Sequence, residues 1–292
     1  MMGRALHVAL LLCLCPLPAM ATPAGVSVSD DTGARVSLPQ PARRIISLAP
    51  HATEMLYAIG AGGRLVGATN YSDWPDAARR LPRVGGYSGV SVEKVMALKP
   101  DLVVGWASGN APRELARIRA LGIPVYLTEP DSLDTVPASM EKLGILSGFS
   151  DGGRRQAAAF RTRIAALRER HAGLTPLPVF IQINVSPLMT VNGRQFISAL
   201  VALCGGRNVF AALAPRVPQV GVEAVMAARP AVMLVPGDVD RLAAWKRWTT
   251  IPAVANGQLY GLPEDLVSRP GPRLADGASA VCRVLDSARS RS

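Results

Sequence analysis

One stretch of this chain occurs twice at a constant offset of 130. Val90 to Val103 (VSVEKVMALKPDLV) and Val220 to Met233 (VGVEAVMAARPAVM) share the valines flanking their second residue, a glutamate, a Val-Met-Ala triplet and a proline. Each copy reads as a short helix opened by an acidic residue, stopped by proline and followed by an apolar run. That is one helix–strand block used twice. Between the copies, Arg154 to Ala172 contains neither Gly nor Pro, and Phe160, Ile164 and Leu167 fall at i, i+4 and i+7. This pattern predicts a helix about 30 Å long at a rise of about 1.5 Å per residue. Two related lobes flanking one stiff helix place a ligand cleft between them, with limited hinge motion.

The rest of the chain fits that frame. Val26 to Leu38 alternates around Asp30-Asp31-Thr32-Gly33, a hairpin signal. Strands are predicted at 44–48, 65–68, 102–104 and 124–127, interleaved with helices at 51–59, 92–98 and 114–121. After Gly173 the alternation restarts, with a strand at 179–183 and a helix at 196–203. Strands and helices alternating at this spacing predict an α/β fold with parallel central sheets, hence two Rossmann-like lobes joined by a single long interdomain helix. The predicted boundaries are 22–148 for the N-terminal lobe, 149–173 for the linker helix and 174–292 for the C-terminal lobe.

Residues 1–21 read as a signal peptide. Arg4 supplies the positive start, Ala5 to Leu17 the apolar stretch, and Ala19-Met20-Ala21 the small-x-small cleavage pattern. The apolar run is too short to span a bilayer. A lipid anchor on Cys13 or Cys15 is the weaker reading, since neither follows a small residue and Pro16 adjoins the second. Loss of Arg4 lowers the formal charge of +11 by one. The basic residues are scattered, with no run of five, and no nucleic-acid motif accompanies them, so a nucleic-acid partner is not expected. In an exported chain, the remaining pair Cys204 and Cys282 is expected to form a disulfide. It would close a loop of 79 residues, contributing about 4.5 kcal/mol in the chain-entropy picture.

Common catalytic signatures are missing from the sequence. Gly86-Tyr87-Ser88-Gly89 lacks the spacing of a nucleophile elbow, and there is no Walker A motif. Gly60-Ala61-Gly62-Gly63 follows a predicted helix and reads as its C-terminal cap. His171 ends a charged helix and is read as a solvated residue near a C-terminus. What stands out is aromatic residues in loops after strands: Tyr71 after 65–68, Tyr87 before the Glu93 helix, and Trp106 after 102–104. The carboxyl ends of parallel strands share one edge, so Tyr71, Trp106 and Pro50-His51 converge on one rim, suited to a flat, partly apolar ligand.

These segments also carry a resemblance. Arg44–Gly60, Tyr71-Ser72-Asp73-Trp74-Pro75, Val92–Asp101 with Trp106 and Asn110, Leu203–Phe210, Pro218-Gln219-Val220 with Glu223, and Arg269-Pro270-Gly271-Pro272-Arg273 resemble the periplasmic cobalamin-binding proteins of ABC importers, the BtuF family. The likeness runs over nearly the whole chain after residue 21. It implies capture of cobalamin or a related corrinoid in the interlobe cleft, with Pro50, Tyr71, Tyr87 and Trp106 contributed by the first lobe and Asp265 and Arg269 by the second. Asp265 and Arg269 would meet the corrin amide rim, the bland alternative being a surface ion pair between them. His51 lies at the same edge, either near the metal of a tetrapyrrole or as a supporting or solvent-exposed residue. Glu93 and Glu223 are implied as docking carboxylates, one per lobe, for the inner-membrane permease that works with its ATPase, although helix capping alone also explains them.

The sequence departs from the family in its second lobe, where Ile183, Met189, Val217 and Leu266-Val267 replace aromatics. The preferred corrinoid is therefore expected to be cobalamin or a precursor such as cobinamide. No resident cofactor or metal is expected, the protein is expected to be a periplasmic monomer, and no bond is made or broken. The alternatives are a haem or ferric-siderophore binder with Tyr71 or His51 on iron, and an exported enzyme using Asp73, Asp265 or Glu264.

Overall fold

The computed structural model describes residues 25–86 and 88–291. The expected signal peptide and Tyr87 lie outside the described residues. The chain opens with an antiparallel hairpin, β1 (Val26–Ser29) and β2 (Arg35–Leu38). Its Asp30-Asp31 turn is plugged into the first lobe: Asp31 accepts hydrogen bonds from the Glu129 backbone, Ser139 and Lys142.

The first lobe follows with β3 (Ile45–Ser47), α1 (Pro50–Ala58) and β4 (Leu65–Ala68). A two-stranded turn, β5 (Gly85–Gly86) and β6 (Gly89–Val90), leads into α2 (Val92–Ala97), β7 (Leu102–Trp106), α3 (Pro112–Ala120) and β8 (Val125–Thr128). Its sheet has the order β4-β3-β7-β8, all parallel. Ile45, Ile46, Leu102, Val103 and Val104 are fully buried, as expected of strands covered on both faces.

Two helices, α4 (Thr135–Ser147) and α5 (Ser150–Arg170), lead to the second lobe. That lobe comprises β9 (Leu177–Ile181), α6 (Phe196–Leu203), β10 (Gly206–Asn208), α7 (Val222–Ala228), β11 (Val232–Pro236), α8 (Pro252–Ala255), β12 (Leu259–Leu262), α9 (Glu264–Val267) and α10 (Leu274–Arg289). Its parallel sheet runs β10-β9-β11-β12. Cys204 and Cys282 are joined by a disulfide that ties the end of α6 to α10. One continuous core includes Leu56 and Met140 of the first lobe, Phe160 and Ile164 of α5, and Ile181 and Leu285 of the second.

The internal repeat extends to backbone conformation. Helices α2 and α7 begin at Val92 and Val222, and strands β7 and β11 at Leu102 and Val232, each pair 130 apart. Lys99 (φ 46°) and Arg229 (φ 45°) are both left-handed, and each precedes the proline that bars helix continuation.

His171 differs from its sequence reading. It is buried, with Nδ1 against the Leu167 carbonyl at 2.7 Å and Nε2 at 3.2 Å from Asp286 of α10. The helix end that looked solvent-facing in sequence is covered by a helix more than 100 residues later.

Candidate functional site

The parallel sheets dictate where a ligand can sit, because their strand carboxyl ends open into the cleft. From β3 the chain turns at Ala49 into α1, with Pro50 at the first helical position. From β4 it enters the turn Thr69–Ser72, in which Tyr71 has φ 63° and stands 73% exposed. A bulky residue held left-handed is strained, and such strain persists only where the surroundings fix it. Here the Thr53 hydroxyl of α1 donates to Ser72 Oγ at 3.1 Å and pins the turn.

From β7 the chain enters the Trp106 loop. Asn110 fixes it from both sides: Oδ1 accepts from the Trp106 backbone at 2.7 Å, and Nδ2 donates to the Leu48 carbonyl at 3.0 Å. The indole lies over Gly109, where an added Cβ would stand 2.1 Å from the ring. Only glycine leaves that space. His51 meets Trp106 edge-on, with ring centroids 5.3 Å apart.

Pro50, His51, Tyr71 and Trp106 from the first lobe share one cavity of about 550 Å³ with Asp265 and Arg269 from the second. Glu264, Ser268 and Pro270 complete its lining. A second cavity of about 760 Å³ is lined by Trp106 together with Gln195, Phe196, Arg216 and Val217 of the second lobe. Trp106 therefore borders both cavities between the lobes.

Asp265 and Arg269 do not pair with each other. Arg269 donates to Asp73 at 2.6 Å and lies 3.4 Å from Glu54, whereas Asp265 accepts from Arg273 at 2.6 Å. The alternative of a surface ion pair between them does not hold: the segment after α9 is not helical between Ser268 and Arg273, and the two side chains point to different partners. The hydrogen bond from Arg269 holds the Asp73 carboxyl below the usual carboxylate range. Hydrogen bonds to Glu54 and Asp265 raise Arg273 further, outweighing its burial.

Glu54 is the central residue that sequence reasoning gave no role. Its side chain is 2% exposed and faces both guanidiniums. A carboxylate in the apolar run from Ala52 to Ile59 was the available signal, since a buried charge requires a partner. On the far side of the cleft, Arg216 approaches Glu129 at 3.5 Å and Asp131 at 3.6 Å, a looser bridge between the lobes.

His51 is neither solvent-exposed nor ionised near neutral pH. It is buried, and desolvation lowers its pKa to about 4 against a smaller raising effect from Asp31. Thr128 Oγ1 donates its proton to the Gly105 carbonyl at 3.0 Å and so accepts from His51 Nε2–H at 2.8 Å. Among the described residues Nδ1 has no partner, which leaves a lone pair on a ring that lines the cavity.

Glu93 and Glu223 stand apart from the cavity, each exposed in the first turn of its helix. Glu93 bonds the Ser91 hydroxyl at 3.0 Å and lies 3.6 Å from Arg117. Among the described residues no group of three or more His, Cys, Asp or Glu could hold a metal ion, and no helix is long and apolar enough to cross a membrane.

Comparison with known proteins adds to this geometry. The periplasmic binding protein family matches residues 45–266. The chain is 38% identical over 256 residues to a vitamin B12-binding protein of Vibrio cholerae serotype O1, covering 87% of this chain and 93% of that one. The fold matches the crystal structure of the periplasmic vitamin B12-binding protein BtuF of Vibrio cholerae with a TM-score of 0.80 and 38% identity, over 85% of this chain and 98% of that one. It also matches the apo form of the periplasmic heme-binding protein RhuT from Roseiflexus sp. RS-1, with a TM-score of 0.76 and 27% identity over 85% and 99% of the two chains.

Proposed function

Since the chain belongs to the periplasmic binding protein family, we propose that it captures cobalamin or a related corrinoid between its lobes and delivers it to an ABC importer. The observation that carries this reading is the cavity itself. Pro50, Tyr71 and Trp106 offer apolar surface to the flat macrocycle, and Asp265, Glu264 and Arg269 offer hydrogen bonds to a rim of amides. The likeness to vitamin B12-binding proteins at 37% and 38% identity supports the same ligand class.

The working boundaries are a signal peptide over 1–21, a first lobe over 22–148, a linking helix over 149–173 and a second lobe over 174–292. The mature protein acts in the periplasm as a monomer. Glu93 and Glu223, one on each copy of the repeated unit, present carboxylates to the permease, whose ATPase drives import. Such exposed charges steer encounter more than they set affinity. The reading assigns binding and release with no bond made or broken; Asp73 is engaged by Arg269 and Asp265 by Arg273.

Haem is the second reading, favoured by the fold match to a heme-binding protein at 27% identity. Absorbance of the protein purified from its own host, followed by titration with cyanocobalamin, cobinamide and haem, separates the two. The corrinoid reading expects saturable binding of cyanocobalamin or cobinamide and no Soret band in the purified protein. A Soret band with no corrinoid binding would refute it.

A further inference from the structure

Tyr71 lines the cavity from a left-handed backbone and is largely exposed. A tyrosine left to itself does not keep that conformation, because its Cβ crowds the backbone there. The contact with Thr53 reaches only the side chain of Ser72, so the main chain of the turn needs a separate hold. Arg83 provides it. Its Nη1 donates to the carbonyls of Thr69 at 2.9 Å and Ser72 at 3.1 Å, the two ends of the turn. Its Nη2 donates to the carbonyls of Ala78 at 3.1 Å and Arg79 at 3.4 Å.

The base of this side chain is fixed as well. Arg83 bridges Ala68, the last residue of β4. The Ala68 amide donates to the Pro82 carbonyl at 3.0 Å, and the Val84 amide donates to the Ala68 carbonyl at 3.1 Å. Among the described residues, the hydrogen bonds of this guanidinium all go to backbone carbonyls. A planar fork with several donors can tie two stretches of main chain at once, which a lysine ammonium cannot. Between the two tied stretches lie Asp73, which accepts from Arg269 at 2.6 Å, and Trp74, whose ring lies 4.5 Å from the Arg273 guanidinium. One side chain thus brackets the segment that gives a ring to the cavity and two contacts to the second lobe.

We infer that Arg83, which does not line the cavity, is a positioning residue for it: its fork holds the Thr69–Ser72 turn so that Tyr71 is in place before a ligand arrives. The inference rests on the corrinoid reading and goes beyond the contact residues to the group that holds one of them. Apparent affinity scales with the fraction of protein already in the binding conformation. If the turn without Arg83 keeps that conformation about one time in ten, affinity falls about tenfold.

A double-mutant cycle on the signal-free protein tests this, with cyanocobalamin titrated by calorimetry into the wild type, Arg83→Ala, Tyr71→Ala and the double variant. Arg83→Ala is expected to weaken binding about tenfold when Tyr71 is present and no more than about twofold in the Tyr71→Ala background. Should Arg83→Ala fail to fold, Arg83→Lys takes its place in the cycle, with a loss of about threefold that again depends on Tyr71. Hydrogen exchange of the ligand-free proteins is the second readout. The Ser72 amide, bonded to the Thr69 carbonyl at 3.3 Å, is expected to exchange faster in the Arg83 variant. Unchanged affinity, or equal losses with and without Tyr71, would overturn the positioning role and leave the corrinoid reading in place. A wild type that binds no corrinoid would refute that reading; unchanged Ser72 exchange would then overturn the hold of Arg83 on the turn, and faster exchange would support it.

Discussion

Arg273 and Glu54, 219 positions apart in the chain, meet in a two-point ion pair between the lobes, with Nε to Oε2 at 3.0 Å and Nη2 to Oε1 at 2.8 Å. The guanidinium also lies over the Trp74 ring, 4.5 Å from its centroid. The lobes are therefore tied together beside the cavity as well as through α5. Planar bidentate recognition and stacking together require arginine, and lysine offers neither. This clasp sets the width of the gap that a ligand must fit.

Glu54→Gln removes the buried carboxylate that faces two half-buried guanidiniums, leaving Arg269 with Asp73 and Arg273 with Asp265. The expected loss is about 1.5–3 kcal/mol, the range of hydrogen bonds to charged groups. Urea unfolding of the two proteins at neutral pH measures it. A loss below about 1 kcal/mol, the level of an exposed ion pair, would mean that the clasp is a surface feature.

Trp106→Ala is expected to weaken cyanocobalamin binding by about 1–3 kcal/mol, as removal of a buried aromatic anchor does. Gly109→Ala is expected to produce a similar loss through the same ring, because the new Cβ occupies the space under the indole. Calorimetry on both variants checks this. Unchanged affinity in either would contradict the role given to Trp106.

Much of this was readable from the sequence, because the βα period is strong wherever a strand is buried on both faces. The repeat marks β7, α7 and β11, and the shared strand edge groups Pro50, His51, Tyr71 and Trp106. Helix α4 was not readable. Pro137 and Gly144 break its pattern, and it is buried on several sides, so no single apolar stripe forms. Gly144 is there because α5 crosses close by, with Gly153 Cα 3.2 Å from where a Cβ would stand. The clasp was equally hidden. Glu54 and Arg273 belong to different lobes, and no local pattern announces a pair formed by tertiary packing.

The pH dependence of stability carries the signature of His51. Its folded-state pKa of about 4 lies below its ordinary value of 6.5. The unfolded chain thus takes up a proton before the native state does. The contribution is fully present above pH 6.5 and is lost as pH falls from 6.5 toward 4, by on the order of 3 kcal/mol in total. Urea midpoints measured across this window are expected to fall more steeply in the wild type than in His51→Gln. Equal slopes would show that His51 is solvated in the native state.

Glu93 and Glu223 are expected to matter only to the partner. Charge reversal of both to Arg should leave corrinoid affinity within twofold of wild type while abolishing docking to the reconstituted permease and its ATPase. Retained docking would reduce both residues to helix-start carboxylates.

The most direct measurement is a crystal structure of the signal-free protein grown with excess cyanocobalamin. The account predicts the macrocycle in the cavity bounded by Pro50, His51, Tyr71, Trp106, Asp265 and Arg269, with its amide rim toward Glu264 and Asp265. A cavity that stays empty at saturating ligand, or a macrocycle bound outside it, would contradict the account.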